Sequence, residues 1–239
     1  MTTLGALPTG AEKRSYVQRL FTSIAPRYDW FNRLASFGLD QGWRRRALEQ
    51  GRIGPGQRVL DVCAGTGDLS ILCAQRHRPA GVVGIDMNGA MLSCAQRKQR
   101  ALGLPIGWAL ADAEALPFRA ESFDRIVIGF STRNLADLTQ GLREMMRVLR
   151  PGGRLVILET GYPSSPFLRA AYQAFLFTAA RTIGLLLTGR AWPFTYLARS
   201  VRGFLTPAQM IERLHSLQTQ VEYVPLSYGL ASLFIATKD

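Results

Sequence analysis

The segment VLDVCAGTGDLS, residues 59–70, joins an apolar strand-like run to a helix-like one through Gly65 and Gly67. Glycines at such a junction permit a tight turn and close approach of a ligand to the backbone, and the following helix offers free N–H groups at its start. A dinucleotide fingerprint would carry a third glycine where Ser70 stands. Asp61 and Asp68 add negative charge around the loop. That charge repels a pyrophosphate and attracts a cation. S-Adenosylmethionine (SAM) carries a sulfonium and an ammonium and no phosphate, so the loop favours SAM over a nicotinamide dinucleotide. Asp86, at the end of the next apolar run, suits a carboxylate that holds ribose hydroxyls. Asp112, in ADAEALPF (111–118), stands where it could accept from an adenine amino group. Any one of these acids alone would read as a turn residue; the ordered set is specific.

A parallel sheet must position such a set. RVLDVCA (58–64), GVVGIDM (81–87), IGWALAD (106–112), FDRIVIGF (123–130) and GRLVILET (153–160) read as strands, with helical patterns at 68–77, 88–102 and 136–149 between them. This alternation predicts a sheet covered on both faces, with RPGG (150–153) turning from helix into the fifth strand. Residues 11–50 read as helical with polar breaks, and 164–189 as one apolar helical region larger than a crossover needs. Thr206, Pro207 and Gln209 spell a capping box. Residues 220–238 read as two strands around a Tyr228-Gly229 turn.

Composition bounds the partners. The chain has 239 residues, 47% hydrophobic and 19% charged, which suits a folded α/β domain and excludes disorder. A formal charge of +12 points to nucleic acid, an acidic membrane surface or an anionic substrate, unless it is simply a solvated basic surface. Cys63, Cys73 and Cys94 form no CxxC pair and His77 and His215 are far apart in sequence, so neither a metal site nor a disulfide framework is expected and a reducing cytoplasm fits. The start, MTTLGALPTGAEKRSY, lacks an apolar signal core. The stretch 170–188 carries Gln173 and Arg181 and is expected to fall short of a membrane span.

The motifs IAPRYDWFNRLASFGLDQGWRR, DVCAGTGDLS, DMNGAML, DAEALPF, GFSTRNL, RVLRPGGRLVILE and YLARSV together resemble the class I SAM-dependent methyltransferases. Within them they resemble the UbiE-type family, which C-methylates demethylmenaquinone or a ubiquinone precursor. The likeness runs from roughly Phe21 to Lys238. It implies a Rossmann-like fold: a mostly parallel seven-stranded sheet, an antiparallel closing hairpin and a helical cap. The expected division is a cap over 1–50 and a SAM-binding domain over 51–239, with a helical substrate insertion at about 161–205.

By the same resemblance Asp61, Gly65, Thr66, Gly67, Asp86, Met87, Asp112, Ala113 and Gly129 are the expected SAM-binding positions, Gly129 standing where many members carry serine. Arg133 and Asn134 match a pair implicated in catalysis. Arginine holds its proton at neutral pH, so Arg133 is assigned to stabilise a quinolate oxyanion and Asn134 to orient the hydroxyl, with water near Asp86 taking the proton. Tyr28, Asp29 and Asn32 match a YDxxN pattern facing the cofactor; with Phe37 and Tyr196 they are assigned to the substrate pocket. GFSTRN, WPFTYLARS and the histidine-free ASLFIATK depart from the family pattern on the presumed substrate side.

The expected substrate is a prenylated quinol or another apolar aromatic molecule. A prenyl tail lies in the bilayer, so cytoplasmic enzyme is expected to reach the inner face of the membrane peripherally, through 164–189 and the basic cluster Arg44–Arg46. A homodimer is compatible with this reading. Three rivals stand beside it: a nucleic-acid methyltransferase, a methyltransferase for another lipid or secondary metabolite, and a catalytically silent SAM-binding scaffold. The first would carry an Asn/Asp-Pro-Pro-aromatic loop or a Pro-Cys nucleophile, and GFSTRN stands in that place.

Overall fold

The computed structural model describes residues 7–161 and 163–239. Seven strands, β1 (Arg58–Val62), β2 (Gly81–Asp86), β3 (Ile106–Leu110), β4 (Phe123–Gly129), β5 (Leu149–Thr160), β6 (Thr219–Leu226) and β7 (Ala231–Lys238), form one sheet in the order β3-β2-β1-β4-β5-β7-β6. The first five pair in parallel, and β7 runs antiparallel between β5 and β6. The expected mostly parallel sheet with a closing hairpin is therefore what the chain forms. One boundary differs: β5 begins at Leu149, not at Gly153. Leu149 pairs with Phe123 and Arg154 with Arg125, so the Pro-Gly-Gly run is an irregularity inside the edge of the ladder, where a lost N–H is tolerated.

Alternate side chains of the central strands feed two cores. Leu60, Val62, Ile126 and Ile128 face α6 (Leu138–Val148) and α10 (Pro207–His215) on one side of the sheet. Val59, Val127 and Val156 face α3 (Leu39–Gln50) and α4 (Asp68–His77) on the other. The helices start where local chemistry starts them. Asn88 caps α5 (Gly89–Leu102) by accepting from Met91 N at 3.1 Å, and Asp137 caps α6 by accepting from Gln140 N at 2.9 Å. The capping box of α10 is present, with Gln209 Oε1 accepting from Thr206 N at 2.9 Å.

A third cluster lies off the sheet. It joins α1 (Gly10–Ile24) and α2 (Tyr28–Ala35) to α7 (Pro166–Phe175), a π-helical turn over Leu176–Ala180, α8 (Arg181–Thr188) and α9 (Trp192–Arg202). The cap is thus built from the first two helices and from the segment between β5 and α10. α3 departs from the expected cap of 1–50: its Ala47 and Leu48 are buried against the sheet. The triple arginine departs as well. Arg44 is buried, 3.5 Å from Asp40 and stacked over Phe130 at 5.2 Å, so Arg44–Arg46 is no lipid-facing cluster. The run Pro166–Thr188 is one 23-residue helix, long and apolar enough by length and composition to cross a membrane, with 17% of its apolar window buried. Gln173 and Arg181 had suggested that it falls short.

Candidate active site

The strand order reverses between β1 and β4, which opens a crevice at their C-terminal ends. Two non-glycine residues with positive φ stand there: Cys63 (55°), just past β1, and Phe130 (59°), just past β4. Such a conformation costs roughly 1–3 kcal/mol for each and concentrates at functional sites.

A cavity of about 80 Å³ lies over these strand ends, lined by Cys63, Gly65, Thr66, Asp68, Asp86, Met87, Asn88, Gly129 and Ser131, and roofed by Val17, Gln18, Phe21 and Tyr28 of the cap. Each Asp86 oxygen accepts one backbone N–H, Gly65 N at Oδ2 and Asn88 N at Oδ1, both at 2.8 Å. A carboxylate has about four acceptor sites, so both oxygens keep capacity for a ligand. Burial raises the Asp86 pKa and these backbone bonds oppose the rise.

The two loop glycines have different roles. Gly65 (φ 58°) has open space where a Cβ would point, whereas a Cβ on Gly67 (φ 82°) would lie 2.6 Å from Trp108 and 2.9 Å from Ala95. Gly67 is required by helix packing and does not line the cavity. A Cβ at Gly129 would lie 2.7 Å from the Leu69 side-chain tip, so a larger residue there requires Leu69 to shift.

Three other expected cofactor residues sit outside the cavity wall. Asp61 lies beneath it, 1% exposed, with Oδ2 accepting from Ser70 N (3.0 Å) and Oγ (2.6 Å). Asp112 is 3.1 Å from Arg14 of α1, and Ala113 packs in the core. Asp29 is likewise a tie and not a wall. Its carboxylate accepts from Thr66 Oγ1 at 2.5 Å and from Lys98 Nζ at 2.7 Å, while Lys98 also reaches Asp68 at 2.5 Å. Asn88 Nδ2 donates to Gln18 O and Thr22 Oγ1, both at 2.8 Å. The cap is therefore latched to the loop. The space left beneath the latched cap is about 80 Å³.

Asp61 Oδ1 is buried without a partner among the described residues, and burial pushes this carboxyl up from 3.8 to about 7. A raised folded-state pKa favours the protonated form, so its contribution to stability is complete below pH 3.8 and falls as pH rises towards about 7. Thermal unfolding of ligand-free protein is expected to show this decline in the wild type and to lose most of it in Asp61→Asn. An equal pH slope in the variant would show that Asp61 ionises normally.

A second, larger cavity of about 320 Å³ abuts the first. Phe21, Tyr28, Arg44 and Asn134 line both. The rest of its wall is mainly aromatic and aliphatic and includes Asn32, Phe37, Tyr172 and Tyr196. Phe37 is at its lip, 79% exposed; Tyr196 is buried and its hydroxyl donates to Asn134 Oδ1 at 3.3 Å. Burial pushes the Tyr172 and Tyr196 phenols up to about 12, so both stay protonated at neutral pH.

Arg133 enters this wall from a short 3₁₀ turn after β4 and is held by a residue the sequence did not single out. Its Nη1 donates to Glu159, 1% exposed, near the end of β5. Glu159 also accepts from Thr132 Oγ1 (2.6 Å), Thr160 N (2.8 Å) and Thr160 Oγ1 (3.0 Å). Arg133 Nε is buried with no partner among the described residues. Arg44, Lys98, Asn88 and Tyr172 are among the other polar side chains of the site missed in sequence; the first is expected to face lipid and instead lines both cavities. No group of three metal-ligating side chains occurs among the described residues.

The donor set fits SAM. Three carboxylates, Asp29, Asp68 and Asp86, meet two cations, Arg44 and Lys98, around the smaller cavity, and the remaining negative charge suits a cation better than a phosphate. Comparison with known proteins agrees. The model of the ubiE/COQ5 methyltransferase family matches residues 9–238. A demethylmenaquinone methyltransferase of Deinococcus radiodurans is 40% identical over 100% of both chains. A ubiquinone/menaquinone biosynthesis C-methyltransferase of Hahella chejuensis is 38% identical over 95% of this chain and 93% of its own. In three dimensions, a SAM-dependent methyltransferase of Aquifex aeolicus superposes with a TM-score of 0.59 at 17% identity, over 81% of this chain and 88% of its own, which shows the shared fold. SAM is the methyl donor that this family uses, and with a family match from residue 9 to residue 238 the chain belongs to the ubiE/COQ5 methyltransferase family.

Proposed function

We propose that this SAM-dependent methyltransferase of quinone biosynthesis methylates a ring carbon of a reduced prenylated quinone of the demethylmenaquinol type. The observation that carries the reading is the apolar cavity sharing a wall with the SAM-side cavity, with the Arg133 guanidinium, held by Glu159, among its lining side chains. The names of the relatives support the substrate class.

SAM supplies an electrophilic methyl group on a sulfonium. The protein must make the ring carbon nucleophilic. A phenol ionises at about pH 10; once its proton has passed to water, the oxyanion pushes electron density onto the adjacent carbon, which takes the methyl as the S–C bond breaks and then gives up its own proton to water. The Arg133 guanidinium stabilises that oxygen as charge develops, and the protonated Tyr172 is a further donor in the same wall, while the Tyr196 hydroxyl is taken up by Asn134. Glu159 holds the guanidinium and balances its charge before substrate binds. Asn134, between the two cavities and bonded to Tyr196, orients the hydroxyl beside the donor. The apolar wall excludes water, which strengthens each of these interactions.

On the cofactor side Asp86 takes the ribose hydroxyls, the Gly65 loop approaches the ligand backbone-first, and Thr66, Met87 and Gly129 complete the wall. Asp61 and Gly67 support that loop from beneath. Asp112 reaches the adenine only after exchanging its Arg14 partner as the cap moves. Asp29 serves as the latch. In this reading the cap of α1 and α2 and the insertion around 161–205 enclose a SAM-binding domain, and the enzyme works peripherally at a membrane.

Incubation with methyl-labelled SAM and a lipid extract tests the reading. The expected product is a prenylated quinone heavier by one ring methyl. Label found only in another lipid, or in added RNA, would assign the enzyme to a different substrate.

A further inference from the structure

The helix Pro166–Thr188 has three faces. At about 100° per residue, and allowing for the extra residue of the π-turn, Leu176, Ala180 and Gly184 fall on one side. They are the buried ones, and a Cβ on Gly184 would meet the Phe194 ring at 2.1 Å. Phe167 and Leu186 fall together on the opposite side and are 84% and 80% exposed. Between them, Leu168, Ala171 and Phe175 line the larger cavity. The outer apolar face therefore runs without a break into the cavity mouth. α2 and the turn after it extend it: Phe31 packs inward on Phe194 at 4.3 Å, whereas Trp30 and, in the turn, Phe37 point out, 66% and 79% exposed, with Phe37 5.7 Å from the Phe175 ring.

Charge says what covers this face. From residue 160 to residue 211 the chain has no aspartate or glutamate and five arginines. Arg181 and Arg190 of that segment, and Arg27 and Arg33 flanking the α2 stripe, are exposed. An apolar face rimmed by arginine matches the headgroup boundary of an anionic bilayer. A second copy of the chain would bring the same positive rim against itself.

We infer that the outer face of Pro166–Thr188, together with Trp30 of α2 and Phe37 of the turn after it, seats on an anionic phospholipid surface, so that the larger cavity opens into the acyl region. The surface helix lies in the plane of the membrane, because its inner stripe is locked on Phe194. A prenyl tail then reaches the cavity without crossing water, a consequence that rests on the proposed substrate; the docking itself does not.

The test is co-sedimentation of the ligand-free enzyme with vesicles of phosphatidylcholine alone and of phosphatidylcholine and phosphatidylglycerol in equal parts. Wild type is expected to bind the anionic vesicles, less so as salt rises, and the neutral ones weakly. The triple variant Trp30→Ser, Phe167→Ser, Leu186→Ser alters residues outside both cavities. It is expected to bind the anionic vesicles on the order of 100-fold more weakly. Its turnover of a short-tailed, water-soluble quinol is expected to match wild type, while turnover of a long-tailed quinol in vesicles falls. Unchanged vesicle binding by the triple variant, preference for a competing RNA, or a shift from dimer to monomer in the variant would overturn the inference. Wild-type protein that stays with the membrane in alkaline carbonate would also overturn it, since the helix would then span. Vesicle binding that behaves as expected, with no quinol methylated, would leave docking standing and reject the substrate alone.

Discussion

Arg133→Met is expected to lower turnover by on the order of 10²–10³-fold while leaving SAM affinity within about threefold. The charge it serves develops on the substrate oxygen only along the reaction path, and Arg133 does not line the smaller cavity. The same change removes the cation from a buried pair. Glu159, 1% exposed, would keep its threonine donors and lose its counter-charge. Breaking a buried pair from one side costs about 3–5 kcal/mol, so lost activity could come from lost stability alone. The double variant Arg133→Met, Glu159→Gln separates the two. Glutamine keeps the shape and the acceptor oxygen without the charge, so much of the stability is expected to return. Turnover is not. Activity recovering along with stability would make Arg133 a structural cation and leave the oxyanion to Tyr172.

Glu159 has its own signature in this scheme. It touches no cavity and acts through Arg133, so it is a positioning residue. Glu159→Gln alone leaves the guanidinium charged and buried without a counter-ion. It is expected to lower kcat with little change in KM for SAM. The further variant Glu159→Asp, which restores charge at a shorter reach, is expected to recover part of the stability and less of the turnover.

The sheet was legible because its signals are local. Each strand is a short apolar run, and the loop glycines, the Thr206–Gln209 box and the Tyr228-Gly229 turn each declare themselves within a few residues. The resemblance added the direction of the site. What stayed hidden depends on groups brought together from afar. Lys98 meets Asp29 across 69 residues of sequence, and Glu159 meets Arg133 across 26. Nothing near Lys98 or Glu159 marks them as different from any surface charge. Arg44 shows the opposite error. Beside Arg45 and Arg46 it reads as part of a basic patch, but on α3 only every third or fourth position shares a face, and Arg44 falls on the face towards Phe130 while its neighbours fall outside. Gly67 was read as approaching a ligand when its constraint is Trp108, a contact visible only once α4 is packed on the sheet.

Asp86→Ala is expected to weaken SAM binding by on the order of 10²-fold or more, since a hydrogen bond to a charged acceptor contributes roughly 1.5–3 kcal/mol and the carboxylate is proposed to take two ribose hydroxyls. The structure supplies a competing explanation that must be separated from this one. Asp86 also holds Gly65 N and Asn88 N at 2.8 Å, and alanine frees both, so the loop could lose its shape without any ribose contact being involved. A SAM analogue lacking one ribose hydroxyl closes a double-mutant cycle. If Asp86 binds the ribose, wild type discriminates against the analogue by roughly 10-fold or more and the variant hardly at all. If Asp86 only shapes the loop, calorimetry will find the same discrimination in both proteins. Acid supplies an independent check. Burial raises the Asp86 pKa, so the carboxylate is lost on acidification sooner than for an exposed aspartate. SAM affinity in the wild type is expected to fall as pH drops through that raised value, whereas Asp86→Ala, already without the carboxylate, should lack that component of the fall.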